Sequence, residues 1–224
     1  MSGTRRGRGS GAVDEFVREL VDLTGWQGSA YGPVAWDAVE ADLGVELPAD
    51  YKELLATFAP GTFNAANLNL GEAIVVPPHT VAGKLGHLYQ FSTEMRELRD
   101  WRDEHPEDVP HPIHPEPGGM IPWGRAAHEL LLWVRQPGQS PDEWTVAVSN
   151  GGIWQCDETI PIVEEFDCGA VEFLVGLVSG TIVSKVLAGE PENLIAPPMA
   201  ARHLFQPATE DDWWSMSTVS SGDG

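Results

Sequence analysis

The chain has 224 residues, of which 34 are acidic and 13 are basic, so its formal net charge is −21. A chain of this length can bury the core of one ordinary domain, and an apolar content of 42% separates it from disordered proteins. The excess of negative charge argues against binding to nucleic acid or to anionic lipid, because both would repel it. It favours a basic protein partner.

The sequence predicts neither a membrane span nor a disulfide framework. It has no run of 18 apolar residues, and the basic start, Arg5, Arg6 and Arg8, is followed by no apolar segment of a signal peptide. We therefore expect a cytoplasmic protein. Cys156 and Cys168 suit no usual zinc spacing, so we expect two small buried side chains, with a single disulfide as the alternative.

The two ends of the chain differ in composition from the body. Residues 1–11 contain Gly, Ser and Arg without an apolar anchor, which predicts a disordered basic tail. Residues 206–224 predict an acidic, partly disordered tail, and Trp213 and Trp214 favour docking of part of it on the body. Residues 12–205 are predicted to form a single domain.

Apolar residues recur at helical spacing near the N-terminus, which predicts three helices. Pro33 is expected in the first turn of the second helix and Gly44 at its end, while Pro48 starts the third. The apolar stripes are Val13, Phe16, Val17 and Leu20 on the first helix, Trp36, Val39 and Leu43 on the second, and Tyr51, Leu54, Leu55 and Phe58 on the third.

The middle of the chain mixes strand and helix patterns. Residues 68–76 predict one or two strands, and residues 105–119 predict a solvated loop rich in Pro and His. Between them, Ser92 or Thr93 is expected to cap a helix that ends at Glu104. The inward residues of this helix are Phe91, Met95 and Leu98.

Strand patterns dominate the last part of the chain. Residues 130–134 form a continuous apolar run, typical of a strand buried on both faces. Residues 144–149 alternate, and Asn150-Gly151 is a hairpin signal, so residues 153–156 are expected to form the returning strand. The last predicted helix has Asp167 as its cap, Gly180 at its end, and Val171, Leu174 and Val178 on its inward face.

The order of these elements predicts an α+β fold class, with N-terminal helices followed by a mostly antiparallel sheet and a closing helix. The sequence lacks a Gly-rich phosphate loop, a G-x-S-x-G nucleophile turn and a complete zinc-protease motif. We therefore expect no catalytic residue, no metal and no cofactor.

The richest set of metal ligands, His105, His111, His114 and Glu116, lies in the Pro-rich loop. The prolines argue against a rigid metal site there, so a solvated loop is the favoured interpretation. A pH-responsive loop and an enzyme that uses these histidines are the alternatives. The role of the loop His105–Glu116 stays open on the sequence alone.

Tryptophans that stand beside carboxylates indicate an interaction surface, because Trp is enriched at protein interfaces. Trp101 lies off the apolar stripe of its predicted helix and is the best candidate for exposure. The residues expected to contact a partner are Glu94, Glu97, Asp100, Trp101, Asp103 and Glu104 on that helix, and Asp157 and Glu158 at the end of the predicted hairpin.

Three ordered segments resemble the signature of the SUKH superfamily, the Smi–Knr group named for fungal cell-wall regulators, over residues 33–180. The matching residues are Trp36, Leu43, Gly44, Leu47, Pro48, Asp50, Tyr51 and Leu54 in the helices, Pro122, Trp123 and Gly124 in an Ile-Pro-Trp-Gly turn, and Phe173 and Leu174 in the closing helix. These residues are expected to stabilise the fold. Pro48 sets φ at a helix start, and Asp50 places negative charge in the first turn of its own helix.

The resemblance implies a non-enzymatic protein-binding domain, an immunity protein that binds and neutralises a bacterial toxin, often a nuclease. Such a toxin must be basic where it grips phosphate, so an acidic protein can be steered to that site. The alternative that the resemblance implies is an intracellular scaffold or regulator of the Smi–Knr type. A neighbouring toxin gene would separate the two.

Overall fold

The computed structural model describes residues 10–66, 72–75, 78, 80–81, 84–85, 88, 91–126, 129–150, 160–188 and 203–208. The helices within them are α1 (Ser10–Thr24), α2 (Trp36–Leu43), α3 (Ala49–Thr57), α4 (Ser92–Glu104), α5 (Ala170–Ser179) and α6 (Lys185–Ala188). The strands are β1 (Gly61–Asn64), β2 (Glu72–Val75), β3 (Thr80–Val81), β4 (Lys84–Leu85), β5 (Ile121–Arg125), β6 (Leu130–Val134), β7 (Thr145–Ser149), β8 (Val163–Phe166) and β9 (Phe205–Pro207).

One large antiparallel sheet organises the molecule, and the protein is α+β as predicted. Its strand order is β8-β7-β6-β5-β2-β1-β9, and β3 pairs with β4 in a separate ribbon. Strand β6 lies near the middle and pairs in unbroken register from Leu130 opposite Ser149 to Val134 opposite Thr145. The first and last described strands, β1 and β9, pair at one edge of the sheet, so the sheet is completed by a segment near the C-terminal end of the sequence.

Both faces of the sheet are buried, which confirms the prediction made from the apolar run of β6. Leu131 and Trp133 point to one face, which we call the inner face, and pack with the helices α1, α2, α3 and α5. Leu130 and Leu132 point to the opposite, outer face, which is covered by α4 and the loop 105–119. Period-2 alternation therefore sends each half of the run into a different core.

Aromatic rings fill the centre of the inner core. The ring of Trp133 meets that of Tyr51 edge-on at 5.0 Å, and Trp123 and Trp144 lie 6.2 and 6.0 Å away. Edge and offset contacts of this kind add to the energy of burial. Within this core, Phe173 and Leu174 of the closing helix are fully buried.

The helix predictions are confirmed in type, although α2 and α5 begin later than predicted. The apolar stripes of α2 and α3 are buried, apart from Trp36, which packs against the core while partly exposed. Gly44 ends α2 in the left-handed conformation with φ of 68°, and Gly180 ends α5 with φ of 79°. Helix α4 has the predicted bounds and buries Met95 and Leu98.

The predicted helix caps are wrong in position. Helix α2 begins three residues after Pro33, and the N-cap positions of α4 and α5 are Phe91 and Gly169, without side-chain cap bonds. Hence none of the three expected residues, Ser92, Thr93 and Asp167, occupies an N-cap position.

Carboxylates from neighbouring elements serve the helix starts instead. The Asp50 Oδ2 accepts a hydrogen bond of 3.2 Å from the Val171 backbone N–H in the first turn of α5. Asp142, in the loop between β6 and β7, accepts one of 2.8 Å from the Ala49 N–H at the start of α3. These bonds satisfy amides that a helix start leaves without an intrahelical partner.

The strand predictions are corrected at several places. The segment Ile121–Gly124 is strand rather than turn, with an irregular register at Trp123. The strand that pairs with β7 on its free side is β8, which the sequence did not predict. The expected returning strand, residues 153–156, lies outside the described residues. Strand β2 confirms part of the 68–76 prediction, while β1 was missed.

The outermost described elements are α1, which begins at Ser10, and β9, which ends at Pro207. Cys168 is buried, as expected, and the disulfide alternative depends on a second cysteine that lies outside the described residues. Cys156, Trp213 and Trp214 lie outside the described residues.

Candidate interaction surface

Helix α4 and the loop 105–119 form a layer over the outer face of the sheet, and we call it the outer layer. Phe91, Met95 and Leu98 anchor the helix in the outer core. Val109 and Ile113 anchor the loop there with 1% and 0% exposure. The interpretation of the loop as a solvated segment is therefore wrong at these residues, because isolated apolar side chains among the prolines reach the core.

The predicted partner-binding residues of α4 fall into two groups. Asp100, Asp103 and Glu104 are exposed, and Glu97 is half-buried. Glu94 instead turns toward the sheet, where its Oε1 lies 3.9 Å from the Arg125 guanidinium and only 17% of its side chain is exposed. Glu94 is thus a structural residue rather than part of the accessible surface.

Trp101 is partly exposed, which agrees with its position off the apolar stripe. It packs against the outer core, its indole N–H donates to Asp108 Oδ2 at 3.2 Å, and its ring lies 4.5 Å from that of His105. The side chain is held in place while part of its ring faces solvent. A fixed aromatic side chain of this kind can anchor a protein interface at low entropic cost.

Two arginines of α4 fasten the loop to the helix. Arg99 donates to the His114 carbonyl oxygen at 2.7 Å, and Arg102 donates to Glu116 Oε1 at 2.6 Å. The bond from Arg102, assisted by the Ile113 backbone N–H, lowers the pKa of Glu116. The outer layer is therefore one connected unit, and two of its positive charges are used within it.

The remaining exposed charge of the outer layer is acidic. Within residues 92–119 a single arginine, Arg96, is classed as exposed against five carboxylates. They are Asp100, Asp103, Glu104, Glu107 and Glu116; since Glu116 is already paired with Arg102, four are left against Arg96. A surface with this imbalance attracts basic partners over a distance comparable to the Debye length.

His114 is the buried polar centre of the loop. It is 8% exposed, and its Nδ1 lies 3.4 Å from Arg135 Nη2. The same arginine donates from Nε to the Gly119 carbonyl oxygen at 2.6 Å. Burial, followed by the charges of Arg135 and Arg99, lowers the pKa of His114, and Asp42 offsets this in part. The site therefore favours the neutral imidazole over the charged one.

We expect the free energy of unfolding to fall as the pH is lowered from about 7.5 to about 5.5. Unfolded His takes up a proton near pH 6.5, whereas folded His114 resists protonation, so the unfolded state binds more protons in this range. The stabilisation is complete above the unfolded pKa and is lost as the pH falls through the folded pKa. Urea unfolding at three pH values measures the slope.

His114→Gln is the matched variant for this test, because it keeps a polar side chain that does not titrate. Its unfolding free energy should depend less on pH than that of the wild type over the same range. Equal slopes in the two proteins would show that His114 does not cause the effect.

A cleft of about 260 Å³ opens beside the outer layer, at the end of the sheet where β6 and β8 finish. His111 reaches it from the loop and lies 2.9 Å, from Nε2 to Oε1, from Glu165 of β8. The cleft is lined by His111, Val134, Gln136, Gln139, Thr145, Glu165, Phe166 and Asp167. Sequence reasoning missed this site, because its residues come from four separate segments.

The remaining predicted residues are those of the hairpin end, those that carry the family resemblance and the possible metal ligands. Asp157 and Glu158 lie outside the described residues. The residues that carry the SUKH resemblance occupy helix starts, helix ends and core positions, and Gly124 lies where a β-carbon would meet the Ile74 carbonyl oxygen at 2.7 Å. In the part of the chain that the structure describes, no three His, Cys, Asp or Glu side chains are grouped to hold a metal ion.

Comparison with protein-family models, with curated proteins and with solved structures finds no match for this chain. Among the described helices, none combines the length and the apolar character needed to cross a bilayer. The geometry of the outer layer and the chemistry of its side chains are therefore the basis for a functional proposal.

Proposed function

We propose that this chain is a non-enzymatic protein-binding domain of the SUKH kind, an immunity protein that binds and neutralises a basic bacterial toxin. The observation that carries the proposal is the exposed acidic surface of the outer layer, with four exposed carboxylates against one exposed arginine over residues 92–119, apart from the pair of Arg102 with Glu116. This surface is built on a segment that is fastened to the sheet, so it is available without a large ordering cost.

A nuclease toxin offers the chemistry that such a surface would recognise. It needs Lys and Arg side chains where it holds the phosphate backbone. An acidic protein that covers those side chains blocks the active site and associates quickly, because opposite charges steer the encounter. The half-buried Trp101, adjacent to Asp100 in the chain, would supply an apolar contact at the centre of the charged surface.

The places of the signature residues support the family part of the proposal. Tyr51, Trp123 and Phe173 meet in one core, and Asp50 links the starts of two helices that are far apart in sequence. The three segments of the resemblance thus depend on each other in the fold. Residues with such mutual contacts are expected to recur together in a family.

The test is calorimetric binding to the toxin domain encoded beside this gene. The triple variant D100N/D103N/E104Q should bind roughly ten- to a hundredfold more weakly, as loss of interfacial charge pairs predicts. Raising the salt from about 50 to about 500 mM should weaken wild-type binding more than binding by the variant, since salt screens exposed charges.

The matched control is E15Q/E19Q/D22N, which removes the same charge from the exposed face of α1 on the other side of the sheet. It should bind close to the wild-type affinity. Equal losses in the two variants would show that net charge matters and the outer layer does not. Absence of a toxin gene beside this one, with capture of a host regulatory protein, would favour the Smi–Knr scaffold alternative.

A further inference from the structure

The cleft beside the outer layer has a different chemistry from the open acidic surface, and we propose that it binds an arginine side chain of a basic protein partner. The inference rests on the proposed function, because it names the group by which that partner is gripped. The cleft measures about 260 Å³, which is below the ~300–1,000 Å³ of pockets for drug-sized ligands. It suits a single long side chain.

The walls of the cleft divide into an apolar and a polar part. Val134, the last residue of β6, is buried, and Phe166, the last residue of β8, packs against the inner core. Val134 belongs to the outer core and Phe166 packs on the inner core, so the apolar contact open to the stem of an arginine is the edge where the two strands end. Long basic side chains commonly lay their methylene groups along apolar surface and keep the charged end at a polar opening.

The polar part of the cleft offers acceptors on several sides. The carboxylates of Glu165 and Asp167 stand on exposed residues, and Gln136 adds a side-chain carbonyl oxygen. The Gln139 Oε1 already accepts from the Gln136 backbone N–H at 2.9 Å, so it has one lone pair left for a ligand. A guanidinium carries five N–H donors in a planar fork and forms strong bonds to carboxylates. Several acceptors around one opening fit this fork better than the compact ammonium of lysine.

Glu165 can serve such a ligand while it keeps its present partner. Its Oε1 is bound by His111 at 2.9 Å, and among the described residues no hydrogen-bond partner is found for its Oε2. Its side chain is 48% exposed, so the second oxygen is accessible from the cleft. The contact with His111 also fixes the orientation of the carboxylate.

The location of the cleft ties it to the proposed binding surface. His111 belongs to the loop 105–119, so the opening is continuous with the outer layer that carries the exposed carboxylates. A partner that docks on this layer would bring its basic side chains to the edge of the cleft. Steering by the open surface and capture of one arginine in the cleft would then act together.

Nuclear magnetic resonance titration of the full chain with N-acetyl-arginine methylamide tests the assignment. The backbone amides of Val134, Gln136, Gln139 and Thr145 should shift and saturate together. The neutral norleucine analogue should produce no saturating shift, and the lysine analogue should bind more weakly. Shifts spread over the carboxylates of α1 as well as the cleft would overturn the proposal.

Two variants sharpen the test. Glu165→Gln, an exposed position where folding is expected to be kept, should bind the arginine probe roughly tenfold more weakly, since a charge-assisted bond is lost. Glu19→Gln removes the same charge from α1 and should leave the affinity unchanged. Wild-type affinity of the Glu165 variant, confirmed as folded by its thermal unfolding, would contradict the assignment.

Failure of this inference can be told apart from failure of the proposed function. A Glu165 variant that keeps full affinity for the toxin domain would remove the cleft from the interface and leave the outer layer as the binding surface. Arginine binding in the cleft without any affinity for the neighbouring toxin would uphold the site and overturn the immunity role.

Discussion

Replacing Trp133 by alanine is expected to lower the free energy of unfolding by about 3–5 kcal/mol, the usual cost of deleting a large buried aromatic side chain. Trp133 has no exposed surface and lies at the crossing point of three aromatic contacts, with Tyr51, Trp123 and Trp144. Its removal leaves a cavity between the sheet and α3. Urea unfolding followed by circular dichroism measures the loss.

Trp36→Ala is the control, because Trp36 contacts the same Tyr51 ring at 6.0 Å but is partly exposed. It should cost clearly less, in proportion to the smaller area that it buries. If Trp133→Ala does not fold, Trp133→Phe keeps an aromatic ring and should show a smaller but measurable loss. Equal costs for Trp133→Ala and Trp36→Ala would contradict the placement of Trp133 at the centre of the core.

Asp50→Ala is expected to cost about 1–2 kcal/mol, the typical loss when a helix cap is removed. One carboxylate oxygen accepts from the Tyr51 N–H at 2.7 Å and the other from the Val171 N–H at 3.2 Å, so the side chain joins the first turns of α3 and α5. Its loss leaves the start of α5 without this acceptor. The free energy of unfolding in urea reports the change.

Two further variants separate the cap from simple charge. Asp50→Asn keeps an acceptor oxygen and should cost less than Asp50→Ala. Asp37→Ala removes an exposed acidic residue from the first turn of α2, and it should change stability by less than about 0.5 kcal/mol, as surface substitutions usually do. A stability of Asp50→Ala equal to that of the wild type would show that the contact to α5 carries no energy.

The role of Asp50 illustrates how part of the acidic excess is used inside the fold. Asp142 serves the start of α3, and Glu164 accepts from the Ser184 hydroxyl at 2.7 Å and from the Val186 N–H at the start of α6. Glu40 accepts from the Leu47 N–H and pairs with Lys52; burial opposes but does not outweigh these contacts, and the pKa of Glu40 is lowered. Carboxylates that are engaged in hydrogen bonds within the fold are poor candidates for partner binding, whereas the exposed carboxylates of α4 in the outer layer are accessible to a partner.

Local patterns alone determined the type of the helices and the strands β6 and β7 of this protein. The apolar spacing of α2, α3 and α4, the glycines that end α2 and α5, and the two-sided burial of β6 follow from contacts within a few residues or from one short run. The α+β class follows from their order. These features depend on the spacing of apolar residues along the chain, which can be determined from the sequence itself.

The tertiary structure decided what depends on partners distant in the chain. Strand β8 has two adjacent glutamates and no alternation, and it is recognisable only by its pairing with β7. The sequence placed Asp50 only in the first turn of its own helix, whereas the fold shows that it also serves the start of α5. The contact of Asp142 with the start of α3 is likewise visible only in the fold. The cleft is the clearest case, since Gln139, Glu165 and His111 come together only where the sheet ends meet the outer layer. Pairing and capping across the fold are non-local contacts, and no spacing within the sequence records them.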